Sequence, residues 1–171
     1  MLIAMAGLPG AGKSSVADAL GRRLAAPVVA VDPIEAAMWR AGVARSQPTG
    51  LAAYVVAEAV AGGVLALGQT VVVDAVNAVE EARGQWRSLA DRHGVPLVFI
   101  EVVCSDPALH RRRLESRSRD IDGFEEPTWE AVRRRREEFA PWTGDRLVLD
   151  SVIGLASNVT AALEFLATAA P

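Results

Sequence analysis

The chain has 171 residues, 51% of them hydrophobic and 23% charged, a balance that fits one folded domain and excludes a disordered chain. Its 18 basic residues against 21 acidic ones leave a formal charge of −3, which argues against a dedicated nucleic-acid binder, because those carry a basic excess. The single cysteine, Cys104, excludes an intramolecular disulfide and a Cys-rich zinc site, and its place at the end of an apolar run reads as a buried small hydrophobe.

The chain starts with the short apolar run Met1 to Ala6. That run lacks a positive flank and is too short for a secretory leader or a membrane span. Leu2 to Ala6 reads as a first buried strand. A helix is expected from Lys13 to Ala25, with Val16, Ala19, Leu20 and Leu24 on its apolar face. Val28 to Val31 is the second strand. Asp32-Pro33-Ile34-Glu35 opens the next helix, with Asp32 as cap, Pro33 at the first helical position and Glu35 completing the cap.

A Gly/Ser/Pro-rich connection over 42–50 leads into an alanine-rich helix over 51–67. That apolar stretch is broken by Tyr54, Glu58, Gly62 and Gly63, so no membrane partner is expected and the expected location is cytoplasmic. Val71 to Val73 form a third strand ending at Asp74. Asn77, with Glu80, caps a helix that stops near His93-Gly94. A fourth strand covers 96–103, and Asp106-Pro107 opens a helix to about Ser116. The polar stretch 117–127, with Gly123 and Pro127, reads as a lid. A charged helix over 128–140, a short strand over 146–149 and a helix over 155–169 complete the chain. The strands are mostly continuous apolar runs, the pattern of a parallel sheet covered by helices on both faces. No internal repeat or interdomain linker interrupts residues 1–171, which read as one α/β domain.

Between the first strand and first helix stands Gly7-Leu8-Pro9-Gly10-Ala11-Gly12-Lys13-Ser14, a full match to G-x-x-x-x-G-K-[ST]. The glycines allow backbone conformations closed to other residues and a close approach to phosphate. The loop amides form an anion-binding nest, and the helix that follows adds its positive end. The motif gives Lys13 the β- and γ-phosphates and the Ser14 hydroxyl Mg²⁺, with Ser15 beside them in the first turn. ATP with Mg²⁺ is the expected ligand. A guanine-reading N-K-x-D element is absent from the sequence.

The loop GLPGAGKS, the Asp32 that ends strand two, the segment Val71-Val72-Val73-Asp74-Ala75-Val76-Asn77 and the arginine-rich helix before the lid resemble the small P-loop kinases. The resemblance is closest to the branch of polynucleotide 5′-hydroxyl kinases and chloramphenicol phosphotransferase-like enzymes. It implies a P-loop NTPase fold, a three-layer αβα sandwich around a five-stranded parallel sheet in the order 2-3-1-4-5. It also implies an Asp after strand two that faces the acceptor hydroxyl, and lid arginines over the phosphates.

Asp32 would lie at the carboxyl edge of a parallel strand, where ligands bind in open α/β sheets, and can accept the proton of an attacking hydroxyl. Asp74, one strand over, can serve Mg²⁺ or the acceptor. Asn77 is either a cap or a substrate contact. Polynucleotide kinases carry a basic residue just after their Asp; here Pro33, Ile34 and Glu35 stand there, and Arg40 compensates only in part. That departure argues against nucleic acid as the acceptor.

Among the arginines at 111, 112, 113, 117 and 119, Arg117 and then Arg113 are the expected phosphate-neutralising pair, sharing a helix face at i, i+4. Arg133 to Arg136 read as a solvated face paired with Glu137 and Glu138. Trp39, Trp129 and Trp142 read as packing anchors, and His93 and His110 as structural. The functional expectation is an ATP-dependent kinase acting on a hydroxyl of a small-molecule acceptor. A polynucleotide 5′-hydroxyl kinase and a regulatory ATPase are the alternatives. Oligomeric state is left open by the sequence.

Overall fold

The structure, a computed structural model, describes residues 1–117 and 126–169. The elements follow in the order β1 (Leu2–Ala6), α1 (Lys13–Leu24), β2 (Val28–Ala30), α2 (Val31–Arg40), α3 (Thr49–Ala66) and β3 (Val71–Asp74). They continue with α4 (Glu80–His93), β4 (Leu97–Val103), α5 (Pro107–Glu115), α6 (Trp129–Glu137), β5 (Leu147–Asp150) and α7 (Leu155–Ala169). The five strands form one sheet in the order β2-β3-β1-β4-β5, and every pairing is parallel.

Strand side chains alternate between faces, and here both faces are buried. Leu2, Ala4, Val71, Val73 and Phe99 pack with Ala53, Ala57, Leu65, Trp86 and Leu89 from α3 and α4. Ile3, Met5, Val72, Ile100 and Val102 pack with Val16, Leu20, Val159 and Leu166 from α1 and α7. That double burial is why the strands read as unbroken apolar runs. By length and composition α3 is apolar enough to cross a membrane. Its Ala53, Ala57, Ala61 and Leu65 nevertheless form a buried stripe that lies on the sheet as part of the core.

Three expected boundaries differ. α2 begins at Val31 directly after β2, with Ala30 as its cap and no side-chain cap bond. Asp32 is therefore the second residue of the helix, not its cap, because strand and helix abut without a linker. α4 starts at Glu80 with Val79 at the cap, so Asn77 caps nothing. The last strand runs one residue later than expected, to Asp150. Asp106 does cap α5, accepting from the amides of Ala108 and Leu109 at 2.9 and 3.0 Å. Most of the expected lid, 118–125 with Arg119, lies outside the described residues.

Candidate active site

The turn from β1 to α1 carries the phosphate motif. Gly12 stands at the helix cap with φ 106°, and no side chain caps the helix, so the amides of the first turn are available to an anion. Gly7 has φ +132°, and a Cβ there would sit 2.2 Å from the Val102 carbonyl oxygen; only glycine fits. The Gly7 N–H donates to the Val76 carbonyl at 3.1 Å, which ties the loop to the segment after β3.

His110 of α5 braces the loop from the other side. It is 1% exposed, and its Nε2 lies 2.8 Å from the Pro9 carbonyl oxygen. Its Nδ1 lies 3.4 Å from a guanidinium nitrogen of Arg136. The neutral tautomer with hydrogen on Nε2 satisfies both contacts, donating to Pro9 and accepting from Arg136. Burial first, then the positive charges of Arg136, Arg113 and Lys13, hold His110 below its ordinary pKa, although the Pro9 bond pulls the other way. His110 is structural, as the sequence implied, but what it holds in place is the phosphate loop.

Lys13, Ser14, Asp32 and Asp74 line one cavity of about 190 Å³ at the carboxyl ends of β2 and β3. The phosphate loop's Lys13 and Ser14 are thus brought together with Asp32 and Asp74, from three separate parts of the chain. The Lys13 ammonium lies 3.9 Å from Asp74 Oδ1, with the two side chains 9% and 10% exposed. Asp74 Oδ1 is buried and has no hydrogen-bond partner among the described residues, a costly state unless something arrives to complete it. Together with the Ser14 hydroxyl it offers an oxygen-only donor set, which suits Mg²⁺. Among the described residues there is no cluster of three or more His, Cys, Asp or Glu. A cation here would draw its remaining ligands from phosphate and water, the usual pattern for Mg²⁺ at phosphate sites.

A second cavity of about 440 Å³ opens on the far side of the loop. It is lined by Gly10, Gly12, Lys13, Ser14, Ser15, Arg113 and Arg117, together with Ser151, Gly154 and Leu155 from the β5–α7 turn. Arg113 is fixed there by donating to Ser151 Oγ at 2.8 Å. Arg117 lies just past the end of α5 and approaches Glu126 at 3.4 Å. Arg111 faces away and pairs with Glu115 at 2.7 Å. The β5–α7 turn carries no motif, and the sequence did not point to it.

A third cavity of about 470 Å³ shares Asp32 and Val76 with the first and extends to Glu35, Tyr54, Glu81, Arg135 and Glu138. Tyr54 was not expected here. Its hydroxyl accepts from the Asn77 N–H at 3.1 Å and keeps its own proton to donate. Burial above all, with the Asp32 carboxylate adding to it, raises the Tyr54 pKa above its ordinary value. The solvated-face reading of 133–136 also needs correction: Arg135 lines this cavity and Arg136 reaches His110.

Two expected substrate residues are not brought to the cavities. Asn77 is 0% exposed; its Nδ2 donates to the Met5 carbonyl at 2.7 Å and its Oδ1 accepts from Trp86 Nε1 at 2.8 Å. Its amide is consumed as a staple between β1 and α4. Arg40 ends α2, exposed to solvent, and lines none of these cavities. A residue the sequence left unremarked, Arg83, is fully buried. It donates to the carbonyls of Asn77, Ala78, Ala140 and Pro141 at 2.9 to 3.0 Å and stacks on Trp142 at 3.8 Å. This clamp joins the β3–α4 turn to the segment after α6, two walls of the third cavity.

The sequence profile of the AAA_33 family, described as an AAA domain, matches residues 2–141. No curated protein matches the sequence. Among solved structures, a candidate kinase from Chloroflexus aurantiacus is similar at TM-score 0.79 and 19% identity, over 99% of this chain and 98% of that one. Kti12 of Chaetomium thermophilum, in complex with ADP-AlF3, is similar at TM-score 0.74 and 20% identity over 100% of both chains. A gluconokinase from Sinorhizobium meliloti is similar at TM-score 0.69 and 23% identity, over 97% of this chain and 91% of that one. These likenesses establish the P-loop fold.

Proposed function

The chain belongs to the AAA_33 family of AAA domains, and on that premise we propose that it is an ATP-dependent kinase that phosphorylates a hydroxyl of a small-molecule acceptor. One observation carries the reading: Lys13, Ser14, Asp32 and Asp74 line a single cavity at the strand ends, and Asp32 and Val76 also line a larger cavity able to hold an acceptor. The loop amides and Lys13 hold the phosphates, and the second cavity takes the nucleoside against the Ser151–Leu155 turn. Ser14 Oγ and Asp74 would hold Mg²⁺, which when bound neutralises charge on the phosphates.

The chemistry asked of the protein is positioning and charge stabilisation. The acceptor oxygen bonds to the γ-phosphorus, the bond to the β–γ bridging oxygen breaks, and ADP leaves. The acceptor's hydroxyl proton passes to the Asp32 carboxylate. Lys13 and Arg117 offset charge on the transferring group, while Arg113, held by Ser151, flanks the nucleoside. The carboxylates around the acceptor cavity count against a polynucleotide 5′-end, whose phosphates they would repel.

The test is transfer of label from γ-labelled ATP to a panel of hydroxylated small molecules, with 5′-hydroxyl oligonucleotides as a comparison. Acceptor-dependent release of ADP supports a kinase. Slow hydrolysis indifferent to every acceptor, with a partner protein retained only when Lys13 is intact, would instead support a regulatory ATPase.

A further inference from the structure

We propose that the solvent-facing side of α3 is a self-association surface, on which a second copy of this chain docks its own α3 antiparallel about Ala59; this stands apart from the kinase reading. All nine exposed residues between Leu51 and Leu67 are Leu, Val, Ala or Gly. The opposite side, with Ala53, Ala57, Ala61 and Leu65, is already in the core. A helix that is apolar all round is ordinarily buried all round, yet among the described residues only one side of α3 is covered. Leu51 and Leu67 are 68% and 77% exposed, and Val55, Val56 and Val60 are 55%, 40% and 48% exposed. With the alanines between them they present on the order of 500 Å² of apolar surface per copy, the size of patch that is often functional on a monomer, and about 1,000 Å² in a pair, which reaches the lower bound for a specific interface.

The chain itself does not supply the cover. Residues 118–125, outside the described ones, branch from the carboxyl edge of the sheet, where Arg117 lines the cavity beside the phosphate loop and meets Glu126. The half of the face from Val60 to Leu67 runs toward the amino edge, where the chain enters β3 at Val71. Residues 170–171 follow α7, which packs on the other face of the sheet. A lipid surface fits poorly, because interfacial helices carry Lys and Arg on their polar side and α3 has neither.

The face is complementary to itself. Positions 52, 56, 59, 63 and 66 recur at the alternating four- and three-residue spacing of a helix–helix seam. Antiparallel pairing about Ala59 sets Leu51 level with the second copy's Ala66, Ala52 level with its Leu67, and Val56 level with its Gly63, so each large side chain meets a small one. Gly63 is the telling residue. A Cβ there would meet nothing within 4 Å, so the chain's own packing does not require glycine, which costs a helix interior about 1 kcal/mol relative to alanine. A second helix packed against Val56 and Gly63 does require it. The single charge on α3, Glu58, stands at the edge of the seam and is already paired with Arg92 of α4, so two copies meet there without unpaired like charge.

Sedimentation equilibrium of the full chain should give twice the mass of one chain at micromolar concentration. Ala59→Glu, which sets two carboxylates face to face at the axis, should return the monomer mass with helicity and ATP-analogue affinity unchanged. Gly63→Leu separates packing from stickiness: it adds apolar surface and a better helix former, yet by filling the hole opposite Val56 it should weaken the dimer by about tenfold or more. Ala59→Cys should cross-link to its own counterpart under mild oxidation, whereas Leu51→Cys, about 24 Å along the helix from its counterpart in this register, should not. A wild-type chain that stays monomeric, an Ala59→Glu chain that stays dimeric, stronger association of Gly63→Leu, or cross-linking of Leu51→Cys in preference to Ala59→Cys overturns the proposal. So does a monomer that floats with phosphatidylcholine–phosphatidylglycerol vesicles, which would assign the face to lipid.

Discussion

Replacing His110 with Ala tests whether α5 braces the phosphate loop. The imidazole is 1% exposed, sits 2.8 Å from the Pro9 carbonyl, and meets the Trp129 ring edge-on at a centroid distance of 5.2 Å. His110→Ala strips the buried Pro9 carbonyl of its donor, at about 1–3 kcal/mol, and removes the aromatic pair, at about 1 kcal/mol. Together these predict a loss of about 3 kcal/mol and, for a chain of this length, a fall in Tm of about 6–12 °C. Because Pro9 lies inside the loop, affinity for an ATP analogue should fall too, by about tenfold for each 1.4 kcal/mol of lost loop order. His110→Gln retains an N–H donor that can reach Pro9 and should recover part of both losses. Thermal unfolding and calorimetric titration with the analogue measure them. A His110→Ala protein with unchanged Tm and unchanged affinity would refute the bracing argument.

His110 titrates below its ordinary value of 6.5 in the folded chain, so between those two values the unfolded chain binds more protons. Stability therefore rises with pH across that window and is lost as pH falls from 6.5 toward the folded value; urea unfolding should follow this slope in wild type and flatten in His110→Gln. Gly7→Ala places a Cβ 2.2 Å from the Val102 carbonyl oxygen at φ +132°, adding about 1–3 kcal/mol of backbone strain to the clash; phosphate-loop binding of the analogue should be lost before the fold is. Arg83→Met removes the buried guanidinium that the carbonyls of Asn77, Ala78, Ala140 and Pro141 share and should cost about 4 kcal/mol, in the range for breaking a buried charged network, read as a lower urea midpoint.

The phosphate loop was legible because its information is local: eight consecutive residues, Gly7 to Ser14, dictate a backbone path. The two aspartates were legible for a related reason, since apolar runs stop near the sheet edge: Asp74 ends β3, and Asp32 follows the end of β2 by two residues. The cap assigned to Asp32 failed because helix α2 begins within the expected strand, and residue preference alone cannot register that junction. Asn77 was misassigned because its partners, the Met5 carbonyl and the Trp86 indole, are set by tertiary packing, while its sequence neighbours imitate a helix start. Tyr54, Arg83 and Arg135 reach their places only when α3, α4 and α6 converge. No spacing along the chain encodes that convergence. Arg135 in particular sits in a charge run whose solvated reading holds for its neighbour Arg133, although Arg133 pairs with Glu130 at 3.5 Å and not with the expected Glu137 or Glu138.

The central claim is that Asp32 faces the reacting hydroxyl in the cavity shared with Lys13 and Asp74. Its most direct test is the rate of acceptor-dependent ADP release by Asp32→Asn, measured beside the affinity of the same protein for an ATP analogue. The account predicts a fall in rate of about 10²–10⁴-fold, the usual contribution of a positioned general base, with analogue affinity unchanged. Full acceptor-dependent turnover in Asp32→Asn would contradict it.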